Sequence, residues 1–155
     1  MALITQIPLI KKMELVNRLP FFKSLTLSER QMIVESFSEL HLFKKGKMVF
    51  RQNEHDNHLY IVLSGELELF RQQHLPSLVK IQPGDFVGEG SFVETHVRTI
   101  NARSVDETIV MAISHAAMQK LPYAIRDKIK DRIIIGMSQR IEKLGNAIEV
   151  LQGKM

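Results

Sequence analysis

The spacing of apolar residues divides the chain into three zones. Over residues 1–40 they recur with helical spacing, and the zone carries a helix start signal. "TLSE" at 26–29 has the form of a capping box, in which Thr26 caps the first turn and Glu29 returns the bond. Met32, Ile33 and Phe37 then follow at helical intervals, and "LPFF" at 19–22 reads as an apolar turn that docks on a core. From 41 to 114 the period shortens. "MVF", "LYIVLSGELELF", "SLVKI", "DFVG", "RTINARS" and "TIVMAI" are short, alternating or β-branched, and set apart by Gly, Pro, Asn and Ser-Gly punctuation. This spacing predicts a small sandwich or barrel, with a tight hairpin at Ser64-Gly65.

Residues 115–152 return to helix, with Pro122 separating a short helix from a long one. Ile129, Ile133, Met137, Ile141, Leu144, Ile148 and Leu151 are spaced 4-4-4-3-4-3, which predicts one continuous apolar stripe. Gly136 and Gly145 each weaken that helix by about 1 kcal/mol. The stripe either lies on the chain's own barrel or pairs with a second copy as a coiled coil. The sequence contains no internal repeat.

Composition narrows the class. The 155 residues are 45% hydrophobic and 25% charged, enough to bury the core of a single domain spanning 1–155. No apolar run reaches transmembrane length. "MALITQIPLIKK" places apolar residues before its lysines, the reverse of an export signal. The absence of cysteine removes disulfides, thiolate metal sites and a cysteine nucleophile, and fits a cytoplasmic protein. Residues 1–114 hold 13 Lys+Arg and 13 Asp+Glu, whereas 115–155 hold 8 and 4, so the net charge of +4 resides in the last helices. A basic helix can attract nucleic acid, but nothing here has the form of a recognition motif, so nucleic acid is not an expected partner.

The chemistry concentrates in "PGDFVGEGSFVETHVRTINARS", residues 83–104. Gly84, Gly88 and Gly90 crowd around one acid, Glu89, and Arg98 follows. Glycines let backbone turn sharply and approach a ligand. A short helix starting at Glu89–Ser91 would direct free N–H groups at an anion, and an arginine would add a charge-assisted pair. Glu89 suits a sugar hydroxyl beside that anion. The set asks for a ribose phosphate, although a plain Glu89–Arg98 salt bridge is the simpler alternative.

This stretch resembles the phosphate-binding cassette of the cyclic nucleotide-binding domain family. That cassette has a Phe-Gly-Glu run, a short variable gap, then Pro-Arg followed by small residues. Here Val87-Gly88-Glu89-Gly90-Ser91-Phe92 and Val97-Arg98-Thr99-Ile100-Asn101-Ala102 occupy those places. "LVNRLPFFKSLTLSERQMIVESF" is similar to the family's helical lead-in, "FKKGKMVFRQNEHDNHLYIVLSGELELF" to its barrel signature, and "ISHAAMQKL" with the long helix to its closing helices. The resemblance covers about residues 15–150.

It implies an α+β fold. An antiparallel β-barrel of jelly-roll (double-stranded β-helix) type, 41–114, carries the cassette at 83–104. A helical lead-in, 1–40, and C-terminal helices, 115–152, flank it. It also implies a regulatory module, not an enzyme, whose ligand is cyclic AMP or cyclic GMP and which needs no cofactor. Glu89 accepts from the ribose 2′-hydroxyl and Arg98 pairs with the cyclic phosphate. N–H groups at Ser91 and Thr99 and the Thr99 hydroxyl add bonds, Gly88 permits the approach, and Gly90 lies in the cassette turn. Asn146 is the polar candidate for the base. Occupancy passes through the C-terminal helix to a homodimer formed along 124–152 or to an effector protein, because little chain follows that helix.

The sequence departs from the family at Asn53 for a glycine, Val87 for phenylalanine, Gly90 for a large apolar residue, Val97 for proline and Ile100 for a small residue. A degenerate fold that binds no nucleotide and serves as an interaction scaffold therefore stays open. His55 and His58 in "EHDNH" sit like cupin metal ligands, but their His-x-x-His spacing and the absence of further ligands predict no metal. "KKGK" at 44–47 reads as a solvated turn, and His96 falls in the cassette gap. No nucleophile–base–acid set is legible.

Overall fold

A five-stranded sheet in the middle of the protein is buried on both faces, and that explains the unbroken apolar runs. The computed structural model describes residues 2–3, 7–92 and 97–153. The chain begins with β1 (Ala2–Leu3), α1 (Leu9–Asn17), a 3-10 turn at Pro20–Phe22, and α2 (Leu27–Met32), which runs into a π-turn over Ile33–Phe37. Strands β2 (Glu39–Phe43), β3 (Met48–Phe50), β4 (His58–Ser64), β5 (Leu67–Phe70), β6 (Val79–Ile81), β7 (Phe86–Val87), β8 (Asn101–Ser104) and β9 (Thr108–Ser114) follow, with a 3-10 turn at Glu89–Phe92. Helices α3 (His115–Lys120) and α4 (Tyr123–Gly153) close the chain on either side of Pro122, as predicted.

Two antiparallel sheets form, β1-β2-β9-β4-β7 and β3-β8-β5-β6. They enclose Phe43, Phe50, Tyr60, Val62, Leu67, Ile81 and Val110 between them. On the outer face of the five-stranded sheet, Leu59, Ile61, Leu63, Met111 and Ile113 meet Val16, Phe22, Ile33, Met118 and the α4 isoleucines. The side chains of "LYIVL" alternate, so 60 and 62 fill the barrel while 59, 61 and 63 seat the helices. A strand covered on both faces reads as a continuous hydrophobic run. In the four-stranded sheet only one face is covered. Outward Glu68 of β5 lies opposite Arg103 of β8, and their side chains pair at 2.6 Å. The predicted α+β jelly-roll class holds.

Three expectations are corrected. Ala2–Leu3 is a strand, paired with Leu42 and His41, where the zone reads as helical. "LSGELE" is not a hairpin: β4 and β5 belong to different sheets, and the chain turns a corner there. Gly65, with φ of +87°, makes the corner because a Cβ would strike Glu107 O and Thr108 Oγ1. Finally, the α4 stripe is not one face. Ile125, Ile129 and Ile133 are buried, and the docked face then continues through Gly136, not Met137.

The capping box is present, with Thr26 Oγ1 accepting from Glu29 N at 3.2 Å and Glu29 Oε1 accepting from Thr26 N at 2.8 Å. Glu29 also takes Lys128 of α4 at 2.8 Å, which fastens the first and last helical layers. The Lys128 hydrogen bond and the cap hold its carboxyl below the usual range.

Length explains why α4 leaves the core. Its 31 residues extend about 46 Å, whereas the seven residues of β4 span about 23 Å. Past Arg140 every described residue of the helix is exposed.

Gly136 and Gly145 of α4 should respond oppositely to alanine. At Gly136 a Cβ would lie 2.8 Å from Cζ of the buried Phe86 ring and closer still to Cε1. Gly136→Ala should lose about 1–3 kcal/mol in urea unfolding, despite better helix propensity. Gly145 faces open space, and Gly145→Ala should gain up to about 1 kcal/mol. Equal gains at both sites would show that α4 does not press on Phe86.

Candidate functional site

β7 carries the glycine-rich segment out of the five-stranded sheet and turns it at Gly88. That residue has φ of +92°, a region L side chains rarely adopt. A Cβ there would lie 2.6 Å from His58 O and 2.8 and 2.9 Å from the two terminal nitrogens of Arg98. Gly88 is therefore the floor on which the Arg98 guanidinium rests. Glu89 follows at once and opens the 3-10 turn that contains Gly90 and Ser91. Residues 93–96, including His96, lie outside the described residues.

Arg98 returns the chain to the barrel mouth and is 5% exposed. Its Nη2 donates to His58 O at 2.6 Å and lies 3.5 Å from Asp56 Oδ1. Its guanidinium carbon sits 4.4 Å above the Phe50 ring. Nε is buried and finds no hydrogen-bond acceptor among the described residues. A buried donor without a partner costs about 1–3 kcal/mol. The backbone is pinned as well: Arg98 N donates to Glu54 O at 2.9 Å, and Asn53 N donates to Arg98 O at 2.7 Å. Asn53 holds φ of +73°, which explains the substitution read in the sequence. Among residues with a side chain, asparagine tolerates this left-handed region well.

Asp56 completes the cradle. It accepts from His58 N at 3.0 Å and from the Tyr60 hydroxyl at 2.7 Å, and His58 Nδ1 lies 2.9 Å from its Oδ1. Burial, the largest influence, pushes its pKa up. The bonds from His58 and Tyr60 and the Arg98 charge together outweigh it and hold the carboxyl below the usual range. Burial and the Asp56 bond push the Tyr60 hydroxyl far above its ordinary value, so it stays a donor.

Glu89 and Arg98 do not pair with each other. Glu89 Oε1 takes Arg140 Nη1 of α4 at 3.4 Å. The other arm of Arg140 reaches Asp85 Oδ1 at 3.0 Å and Phe86 O at 2.7 Å. A carboxylate and a buried arginine whose Nε lacks an acceptor among the described residues thus flank one glycine. The family profile described as the cyclic nucleotide-binding domain matches residues 40–122. The chain belongs to the cyclic nucleotide-binding domain family.

A cyclic AMP receptor protein of Thermus thermophilus is 31% identical over 111 residues, 66% of this chain and 50% of its own length. The chain spans about half the length of the curated relatives it matches. A cyclic nucleotide-binding domain from Methylobacillus flagellatus shares the fold with a TM-score of 0.76 at 16% identity, covering 90% of this chain and 82% of that one. The regulatory domain of Toxoplasma gondii protein kinase A, solved with cyclic AMP, gives 0.65 at 18% identity, covering 81% and 49%.

Within this cyclic nucleotide-binding domain, Gly88 lies against the Arg98 guanidinium and Glu89 follows it in the chain, with Gly90 and Ser91 in the adjoining turn. Thr99 is exposed beside Arg98, and Ile100 is half-buried against the barrel interior. Asn146 is not brought to the cassette; it is exposed on the free part of α4, beyond Arg140. His55 and His58 do not form a metal cluster with other ligands among the described residues. His58 serves Arg98 through its carbonyl and Asp56 through its ring. Sequence reasoning missed Asp56, Phe50 and Arg140. Asp56 is masked by the histidines around it, and Arg140 by the isoleucine stripe around it.

Acid should dismantle the Arg98 cradle. The folded-state pKa of Asp56 is depressed, so its stabilisation is complete above about pH 4 and fades as the pH falls through the unfolded and then the folded value. Asp56→Asn should cost about 1–3 kcal/mol at neutral pH. In urea titrations from about pH 7 to about pH 3, the gap between wild type and variant should close. A gap independent of pH would show that the charge of Asp56 contributes nothing.

Proposed function

We propose that this chain is a regulatory cyclic nucleotide-binding module, with cyclic AMP as the first candidate ligand and cyclic GMP as the second. The observation that carries the reading is Arg98. Its guanidinium is buried and oriented on three sides, with one N–H lacking an acceptor, immediately beside Gly88 and Glu89. A cyclic phosphodiester supplies one negative charge and the missing acceptor. Glu89 accepts from the ribose 2′-hydroxyl, while Thr99 and the Ser91 N–H add to the phosphate shell. The named relatives that bind cyclic AMP support the choice of base. Asn146 becomes a base contact only if the outer part of α4 moves toward the cassette.

Calorimetric titration with both nucleotides tests this. Wild type should bind one of them at micromolar concentration or tighter. Arg98→Ala should weaken binding by at least about 30-fold, as expected for removing one partner of a buried charge pair. Glu89→Ala, a less buried change, should also weaken it. Circular dichroism would confirm that both variants fold. One observation favours the second reading, a nucleotide-free scaffold: Asp56 already counters part of the Arg98 charge at 3.5 Å. A folded wild-type protein that binds neither nucleotide would select that reading.

The output side of the proposal is α4. Ile134, Met137, Ile141, Leu144, Ile148 and Leu151 are 40–68% exposed and spaced 3-4-3-4-3. That is the repeat of a coiled-coil seam. Ser138, Gly145 and Ala147 flank the seam with small side chains that let a second helix come close. The occupant proposed is a second copy of this chain, with an effector reading the dimer. Light scattering should give a dimer for wild type and a monomer for Ile141→Glu/Leu144→Glu with its fold intact. A monomeric wild type would exclude the homodimer.

A further inference from the structure

We propose a second anion site in the cavity between α4 and the turn that joins β6 to β7, for a compact ligand carrying two or more phosphate groups. It lies apart from the Arg98 cradle and does not rest on the cyclic nucleotide reading.

The cavity measures about 380 Å³, the size of a small-molecule site. Three elements line it: the 3-10 turn through Pro20 and Phe21, the segment from Val79 to Phe86, and one face of α4 from Arg132 to Lys143. Phe86 stands on the helical side of the five-stranded sheet, where its ring centroid is 5.9 Å from that of Phe21. Arg98 stacks on Phe50, in the barrel interior on the other side. The sheet therefore separates this cavity from the cradle.

The lining is unbalanced in charge. Lys80, Arg132, Arg140 and Lys143 contribute four cations, and Asp85 is the one carboxylate among the described lining residues. Asp85 is already taken by Arg140 at 3.0 Å. Arg132 and Lys143 form no ion pair with a described residue. Nε of Arg132 is buried and finds no acceptor among the described residues. Lys80 has a Glu66 oxygen at 3.9 Å and is half-exposed. One turn before Arg132, by contrast, Lys128 is matched by Glu29 at 2.8 Å. Like charges on one helix face repel. Ile125, Ile129 and Ile133 seat α4 on the core, so Arg132 and Lys143 are not needed for its docking.

A multiply charged phosphate fits this arrangement. A guanidinium fork takes two phosphate oxygens, and lysines add point charges. Gln82 and Gln139 bring amide donors to the same wall. A single phosphate would leave part of the positive charge unmatched, whereas a chain of phosphates spreads its charge over several cations.

Calorimetric titration with tripolyphosphate and with inorganic phosphate tests the site. Wild type should bind tripolyphosphate at least about tenfold more tightly than inorganic phosphate. Arg132→Gln should weaken tripolyphosphate by about tenfold, and Lys143→Gln, at the exposed rim, by about threefold. Lys143 is fully outside the core, so its variant reports on binding even where Arg132→Gln disturbs the fold. Lys44→Gln/Lys45→Gln, which removes two charges from the turn before β3, should change nothing. Saturating cyclic AMP should leave the tripolyphosphate affinity as it is. A loss in the Lys44/Lys45 variant as large as in Arg132→Gln would overturn the site, reducing it to the general attraction of a basic protein. Displacement of tripolyphosphate by cyclic AMP would overturn it too, by putting the anion at Arg98. A wild type that binds tripolyphosphate no better than inorganic phosphate, or binds neither, would also overturn it and leave the cyclic nucleotide reading untouched.

Discussion

Holding a guanidinium inside an apolar barrel is the constraint around which this protein is arranged. A charge removed from water must be matched and hydrogen-bonded, or its burial is prohibitive. Arg98 meets that demand with one carboxylate, one carbonyl and one aromatic face. Asp56 comes from the loop before β4, His58 from the start of β4, Phe50 from β3, and the floor is Gly88 just after β7. The loop is fixed in turn by Asn53 in the left-handed region and by the Tyr60 hydroxyl. A cation placed this way determines where an anion can enter. The pocket's chemistry and the packing of the barrel mouth are one arrangement.

The helices solve a different problem on the other side of the central sheet. Outward-facing Leu59, Ile61 and Leu63 need a cover, and α1, α2 and the root of α4 supply it. The basic excess of the C-terminal segment is not simply a solvated face. Lys128 is matched by Glu29, and Arg140 by Asp85 and Glu89. Two cations of α4 thus address acids on the lead-in helix and on the barrel. Charge sets the register of α4 where apolar packing ends.

What the sequence disclosed, and what it did not, follows from the distance over which each feature is decided. The strands were legible because alternation is local and a sheet covered on both faces leaves unbroken apolar runs. The capping box was legible because its two partners are three residues apart. Ser64-Gly65 declared a turn correctly but not its outcome, since pairing partners are chosen across the whole barrel. The α4 stripe was read as continuous because apolar spacing does not record where the sheet beneath it stops. Gly88, Glu89 and Arg98 stood out through their residue types and spacing. Arg140 did not, because its partner Glu89 is 51 residues away and nothing local marks the pair. Asn146 was placed by alignment alone, and in this structure it lies apart from the cassette.

The close approach at Gly136 has a mechanical consequence. Up to that point α4 packs against the barrel and the lead-in helices; beyond it only Arg140 still reaches the barrel, and residues 141–153 are exposed. From Gly136 to Gly153 the free arm measures about 25 Å, so a tilt of about 10° at the glycine carries the tip about 4 Å. A sub-ångström adjustment beside Phe86 would therefore be magnified at the far end into a shift large enough to change which side chains meet there. Phe86 and Gly136 thus form the contact at which the barrel meets the root of that arm.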